Sequence, residues 1–284
     1  MGSIFDITVV DQDSIRAYQH IQKAADEIER IENLISEWRP YTQISQVNQN
    51  AGIRPVRVDR EVFELTQRAI RYSILTDGAF DISVAALDKV WFFDGSMEEI
   101  PTEESIRRSV QHVGYQHILL DSVNSTIFLE KEDMKIGFGS IGKGYAADKG
   151  RELLRAQDVV AGIVNASGDL SSWGEQPDKQ SWKIGIRDPF KSYRMLKVLK
   201  MRNASVATSG STEKFVELDG QRYSHIINPK TGWPSTGLAA VTVSGPSAEF
   251  ANFLSTSIMV MGKKKGKKLI KKFPQYRSIM VKDR

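Results

Sequence analysis

The stretch Ile136–Asp148 reads Ile-Gly-Phe-Gly-Ser-Ile-Gly-Lys-Gly-Tyr-Ala-Ala-Asp. It follows a short apolar run, Met134–Ile136, and leads into a helical pattern in which Tyr145, Ala146, Leu153 and Leu154 recur at helical spacing. Glycines 137, 139 and 142 at a strand-to-helix turn let the backbone approach a ligand closely. The N–H groups that open the following helix suit an anion, and Lys143 adds a mobile positive charge. The chemistry these residues suggest is the binding of a phosphate-bearing ligand at Gly137–Lys143. Two familiar motifs fit only in part. A dinucleotide fingerprint needs an acidic residue about 20 positions on, at the end of the next strand. That strand is predicted at Val159–Val164, and Asp169 comes after it. A nucleotide-triphosphate loop needs Ser or Thr after the lysine, where Gly144 stands. A tight turn whose glycines serve packing alone is the remaining reading.

Among four histidines, His225 is the candidate base. It lies in Arg222–Pro234, where a strand runs into an Asn-Pro turn and ends on Gly-Trp-Pro. Histidine at a strand end can accept a proton near neutral pH. His20 is placed on the polar, exposed side of the first helix, and His112 and His117 flank a turn. No spaced His/Asp/Glu cluster offers a transition-metal site. Mg²⁺ or Ca²⁺ can use carbonyls and hydroxyls that leave no pattern, and Ser255 and Thr256 on a late helix are candidates.

Elements must position these groups. Ile4–Val10 reads as an opening strand. Asp13 or Ser14 then caps a long helix whose stripe Ile15, Tyr18, Ile21, Ala25, Ile28, Ile31, Leu34 and Ile35 is read as core. Tyr41–Gly52 is predicted to be a polar loop. Asp59 caps a second helix, Thr102 a third, and a helix-like run leads to Trp91. Ile118–Leu120 and Thr126–Leu129 form a hairpin. Later strands are expected at Val159–Val164, Trp182–Ile186, Met195–Met201, Ser205–Thr208 and Leu238–Val243, followed by a small apolar helix at Phe250–Met261. Without regular βαβ alternation, the class is α+β with mixed sheets and packed helices.

Composition adds exclusions. The 284 residues are 40% hydrophobic and 26% charged, ordinary for a globular protein and expected here to form one domain over 1–284. There is no cysteine, hence no disulfide, zinc–thiolate site or cysteine nucleophile. No membrane-spanning run or secretory signal is read. The net charge is +4, and seven lysines fall in Lys263–Lys272. With no aromatic residues between them, they are read as a solvated helix face with Leu269, Ile270 and Phe273 inward, and no nucleic-acid partner is expected.

Several segments together resemble the ApbE-type FAD:protein FMN transferases, or flavin transferases. They are Met1-Gly2-Ser3 with Phe5; Trp38-Arg39-Pro40 through Ile44-Ser45 and Asn48; Gly78–Asp81 with Val84, Leu87 and Trp91; Gly142–Asp148; Asn165–Asp169; Thr208–Gly210; His225–Pro234; and Ala251–Thr256. The resemblance runs through the chain in the family's order. It implies a T-fold-related architecture and an enzyme that splits FAD, joins FMN to a Thr or Ser of a target flavoprotein, releases AMP and needs Mg²⁺. Family alternatives are an Mg²⁺-dependent FAD pyrophosphatase or a catalytically impaired flavin-binding protein. By the same resemblance, Met1, Trp38, Ala79, Phe80, Asp81, Lys143, His225 and Ile226 would hold FAD. His225 would deprotonate the acceptor hydroxyl, and Ser140, Asn252, Ser255 and Thr256 would surround Mg²⁺.

Two positions depart from the pattern. Gly137 stands where the family often has Asp, and Asn252 stands for a metal-binding Asp, so the ion loses a full charge of attraction. The resemblance further implies a target in a membrane redox complex. It implies a lipoprotein tethered by an upstream lipid anchor at the periplasmic or cell-surface side of a bacterial inner membrane, or a cytoplasmic protein if no such signal was trimmed.

Overall fold

The computed structural model describes residues 3–211 and 214–283. Its elements in chain order are β1 (Phe5–Val9), α1 (Ser14–Ile35), α2 (Gln43–Gln49), β2 (Val56–Arg57), α3 (Arg60–Leu75), α4 (Glu103–Val110), β3 (Ile118–Asp121), β4 (Thr126–Leu129), α5 (Gly142–Ala156), β5 (Gly162–Ala166), β6 (Asp169–Trp173), β7 (Trp182–Asp188), β8 (Lys191–Met201), β9 (Ala204–Gly210), β10 (Phe215–Leu218), β11 (Gln221–Ser224), β12 (Leu238–Gly245), α6 (Ala248–Ile270) and β13 (Arg277–Lys282). A 3-10 helix, Ile82–Lys89, replaces the helix-like run expected before Trp91.

An antiparallel sheet of order β1-β5-β6-β9-β12-β13 is the frame. Helices α1, α5 and α6 pack on it and on one another, burying Ile28, Ile31, Ala146, Leu154, Val164, Val241, Phe253 and Ile258. The β7–β8 hairpin covers Leu170 and Val206 with Ile186 and Met201. The small sheet β2-β4-β3 lies beside α2 and α3. This mixed architecture agrees with the α+β expectation. No helix among the described residues is long and apolar enough to cross a membrane.

Several expectations change. The stripe of α1 is core only in its second half: Ile28, Ile31 and Ile35 are buried, Ala24 is buried rather than the expected Ala25, and Ile15 and Tyr18 are exposed. His20 is mostly covered, with Nδ1 3.8 Å from Asp11 Oδ2. The predicted loop Tyr41–Gly52 contains α2. Thr42 Oγ1 caps it by accepting from Ser45 N, and Ile44 and Val47 anchor it in the core. No strand leads directly into α5, where the sequence suggests a strand-to-helix turn. Met134–Phe138 is held instead by Asn48, which exchanges hydrogen bonds of 2.9 and 2.8 Å with Ile136, and by Gly137 N donating to Ile82 O. β6 was not expected, because Asp-Leu-Ser-Ser-Trp lacks an apolar run, yet all five residues are buried. The lysine-rich segment behaves as read: Gly262 breaks α6 with φ 74°, and beyond it the lysines are exposed while Leu269 is buried.

Candidate active site

The start of α5 carries the first part of the site. No side chain caps it; Gly142 N donates to Phe138 O, and the N–H groups of the rest of the first turn are the ones suited to an anion. The glycines before and within it have no positive φ; Gly137, Gly142 and Gly144 are needed for space. A Cβ on Gly144 would lie 2.6 Å from the carbonyl carbon of Ala248 and 2.8 Å from Glu249 N, so α5 and α6 touch backbone to backbone. A Cβ on Gly142 would press on Ile35 at 3.2 Å. Gly139 is exposed with open space beside it, which leaves room for a ligand against the chain.

Lys143 extends from this first turn to Asp169, with Nζ 3.3 Å from Oδ2. Asp169 is 1% exposed, and its Oδ1 accepts from Thr208 N at 3.2 Å. A two-residue turn places it at the start of β6. Ser167 and Gly168 both have positive φ, the geometry that joins twisted antiparallel strands, and Asn165 Oδ1 accepts from Gly168 N. Sequence reading had given Asp169 no role in the site. Its only signal was the Asn165–Asp169 resemblance.

His225 follows β11. Its Nδ1 lies 2.9 Å from Lys214 O, so the neutral ring donates from Nδ1 and keeps Nε2 as acceptor. Its pKa is held below 6.5, first by burial and then by the positive charges of Lys214 and Lys143; the hydrogen bond to Lys214 O works in the opposite direction. Lys143 is thus near enough to His225 to act on it, although 82 residues separate them in sequence. Ile226 is buried, and its carbonyl accepts from Ser235 N at 2.7 Å, which fixes the strand end. Trp91 Nε1 donates to Gly232 O and its ring meets Trp233, so the Asn-Pro turn is pinned from below.

The expected ring-binding residues are spread around this centre. Trp38 is 73% exposed, with Lys135 Nζ 5.2 Å from its ring centroid. Of Ala79, Phe80 and Asp81, only Ala79 is partly exposed. Phe80 is buried edge-on to Tyr72 and Phe253. The Asp81 carboxylate accepts from Ser83 N, Ser83 Oγ and Tyr115 N, and burial raises its pKa. Phe80 and Asp81 therefore shape the loop from beneath, and Ala79 is the member that can meet a ligand. Lys230 crosses from the Asn-Pro turn to bond Asp77 at 2.6 Å, next to Gly78. Met1 lies outside the described residues.

Asn252, Ser255 and Thr256 fall on one face of α6. Ser209 Oγ is hydrogen-bonded to Ser255 Oγ at 2.8 Å and to Thr256 Oγ1 at 3.1 Å. Asn252 is 4% exposed, and its Oδ1 has no hydrogen-bond partner. A buried acceptor left unpaired is costly, and beside hydroxyl oxygens it fits a hard cation. No group of three or more His, Cys, Asp or Glu side chains gathers among the described residues, so such a site would be built from neutral oxygens. Ser140 sits half-buried in the turn before α5, with no hydrogen bond to this cluster among the described residues. Ser209 had no role in the sequence reading; only its place in Thr208–Gly210 pointed to it.

A sequence model of the ApbE family matches residues 1–280. The chain belongs to the ApbE family. Among this chain's relatives, the FAD:protein FMN transferase of Klebsiella pneumoniae (strain 342) is 32% identical over 258 residues, 89% of this chain and 80% of that protein. That of Salmonella typhimurium is 30% identical over 278 residues, 96% of this chain and 79% of the relative. The crystal structure of the ApbE protein from Thermotoga maritima superposes with a TM-score of 0.91 at 32% identity, covering 99% of this chain and 91% of that one. The apo flavinyl transferase ApbE of Pseudomonas stutzeri gives 0.87 at 29% identity, covering 100% and 89%. The likeness spans the ApbE frame described above, including the sheet, α5 and α6 that carry Lys143, Asp169, Ser209 and Asn252.

Proposed function

We propose that this chain is an FAD:protein FMN transferase, acting as one domain over residues 1–284. The observation that carries the reading is the convergence of the uncapped start of α5, Lys143 and His225 at one place. In this reading the α5 N–H groups and Lys143 bind the FAD pyrophosphate, and Trp38 gives a planar ring a surface to stack on. His225 Nε2 takes the proton from a target Thr or Ser hydroxyl. The hydroxyl oxygen then bonds to the phosphorus of the FMN half, the pyrophosphate P–O bond breaks, and AMP leaves with its charge met by Lys143. Positioning and charge neutralisation dominate phosphoryl transfer, and those are the services these groups provide.

The unpaired Asn252 Oδ1, with Ser255, Thr256 and Ser140, would hold Mg²⁺. When bound, the ion supplies neutralisation of the pyrophosphate charge. The acceptor belongs to a target flavoprotein, which we take to be a subunit of a membrane redox complex. We place the pair at the periplasmic or cell-surface side of a bacterial inner membrane, with a lipid anchor; support for this location is the family resemblance alone. Asn252 favours a second reading, a binding protein with impaired catalysis. Incubation with FAD, Mg²⁺ and a candidate target separates the readings. Covalent FMN on the target supports transfer, free FMN with AMP means hydrolysis, and unchanged bound FAD means a binding module.

A further inference from the structure

Glu37 stands between the end of α1 and the glycine turn. Its carboxylate is turned inward over Gly137. A Cβ at that position would lie 2.7 Å from Glu37 Oε1 and 2.8 Å from Cδ, so glycine there leaves the space that the carboxylate fills. Burial raises its pKa, and the N–H groups of Glu37 and Phe138, together with the charge of Lys135, favour the ionised form. A carboxylate can accept about four hydrogen bonds, so it keeps capacity for a ligand.

The surroundings indicate what that ligand presents. Glu37, Trp38, Pro40, Ser45, Asn48 and Lys135 line one open cavity of about 310 Å³. It therefore offers an exposed indole face, a carboxylate acceptor and an ammonium donor side by side. That combination matches a planar heterocycle whose edge carries an N–H next to carbonyl oxygens, the imide edge of a flavin. Adenine also pairs a donor amino group with acceptor ring nitrogens, so comparison of FAD with ADP separates the two rings.

We propose that Glu37 recognises the flavin ring: its carboxylate accepts the ring imide N–H while Trp38 stacks on the ring face. The inference rests on the transferase reading for the presence of FAD. Glu37 touches the ring and not the phosphates, so it sets which ring is bound and leaves the phosphate cradle unchanged.

The test is fluorescence titration of FAD, and competition by ADP, on the parent chain, Glu37→Gln and Glu37→Ala. A hydrogen bond to a charged group at this position predicts FAD affinity lower by about 10- to 100-fold in both variants, with ADP affinity unchanged. An FAD analogue methylated at the imide nitrogen should bind the parent weakly and lose nothing further in Glu37→Ala. Because Glu37→Ala opens a void, the double variant Glu37→Ala/Gly137→Asp rebuilds a carboxylate from the opposite wall and should recover part of the FAD affinity. Unchanged FAD affinity in both single variants, or an equal loss for FAD and ADP, overturns the proposal. A parent chain that binds no FAD at all speaks against the transferase reading instead.

Discussion

At the scale of single residues, His225 and Lys143 share one electrostatic problem. Burial and two lysines hold the imidazole pKa below 6.5, so it remains a neutral base below the pH at which an ordinary histidine protonates. Activity of the parent should therefore persist below pH 6.5 and fall only as this ring gains its proton; an acid limb at or above 6.5 contradicts the assignment. His225→Ala should slow transfer by about 10²- to 10⁴-fold, beyond any loss of FAD affinity; near-normal transfer with intact FAD binding would show that another group takes the proton. Lys143→Ala should weaken FAD binding or slow turnover. It also removes one influence that lowers the His225 pKa, so the acid limb should move to higher pH. Unchanged FAD affinity and rate in this variant would remove Lys143 from the site. Asn252 completes the residue scale. With neutral oxygens around it, Mg²⁺ should bind together with FAD, whose phosphates bring the charge. Calorimetry should show Asn252→Asp gaining Mg²⁺ affinity without FAD. Absence of that gain, with FAD binding indifferent to Mg²⁺ in the parent, would refute the cation site.

Between elements, the decisive contact is α5 against α6. Gly144 lets the two backbones meet at the residue next to Lys143 and one turn before Asn252. Asp148, one turn further along α5, accepts from Ser247 Oγ at 2.7 Å and Glu249 N at 3.0 Å, so it caps α6 from outside. Its other oxygen accepts from Ser171 Oγ and meets Arg151 at 3.2 Å. Gly144→Ala would gain about 1 kcal/mol of intrinsic helix propensity. It should nevertheless lose a net 1–3 kcal/mol or so, because its Cβ must push backbone atoms apart. Transfer should slow in the folded variant, since the helices proposed to hold phosphate and cation would be pushed apart. Denaturant unfolding paired with kinetics checks both halves; a more stable and fully active variant would show that the close approach is not required.

At the scale of the whole molecule, the first and last thirds of the chain are tied together through α3 and α6. Arg68 of α3 makes a two-point bridge to Glu249 of α6 at 2.9 and 3.0 Å, and Tyr72 OH donates to the same carboxylate at 2.9 Å. Glu249 is nearly buried, so loss of its partner strands a charge. Arg68→Met should cost roughly 2–3 kcal/mol, less than a fully buried pair because Arg68 is partly exposed. That corresponds to a fall in Tm of roughly 3–5 °C. FAD affinity of the folded fraction should be unchanged, because neither Arg68 nor Glu249 hydrogen-bonds or pairs with Lys143 or His225 among the described residues. A Tm within 1 °C or so of the parent would show that water already screens the pair.

Local pattern was enough for much of this. The caps at Asp13 and Thr102, the hairpin Ile118–Leu129, the glycine turn with Lys143, and His225 before an Asn-Pro turn are signals carried by neighbouring residues, so they could be read in order along the chain. α2 and β6 were hidden because their polar residues are satisfied by distant partners: Asn48 by Ile136, and Ser171 by Asp148 and Ser205. Only tertiary structure decided that Asp169 meets Lys143, that Ser209 meets Ser255 and Thr256, and that Glu37 fills the space over Gly137, 100 positions away. The physical reason is one of range. Helix caps, turns and periodicity depend on residues within a few positions, whereas a charge partner or a filled void is chosen by the packing of whole elements, which sequence spacing does not encode.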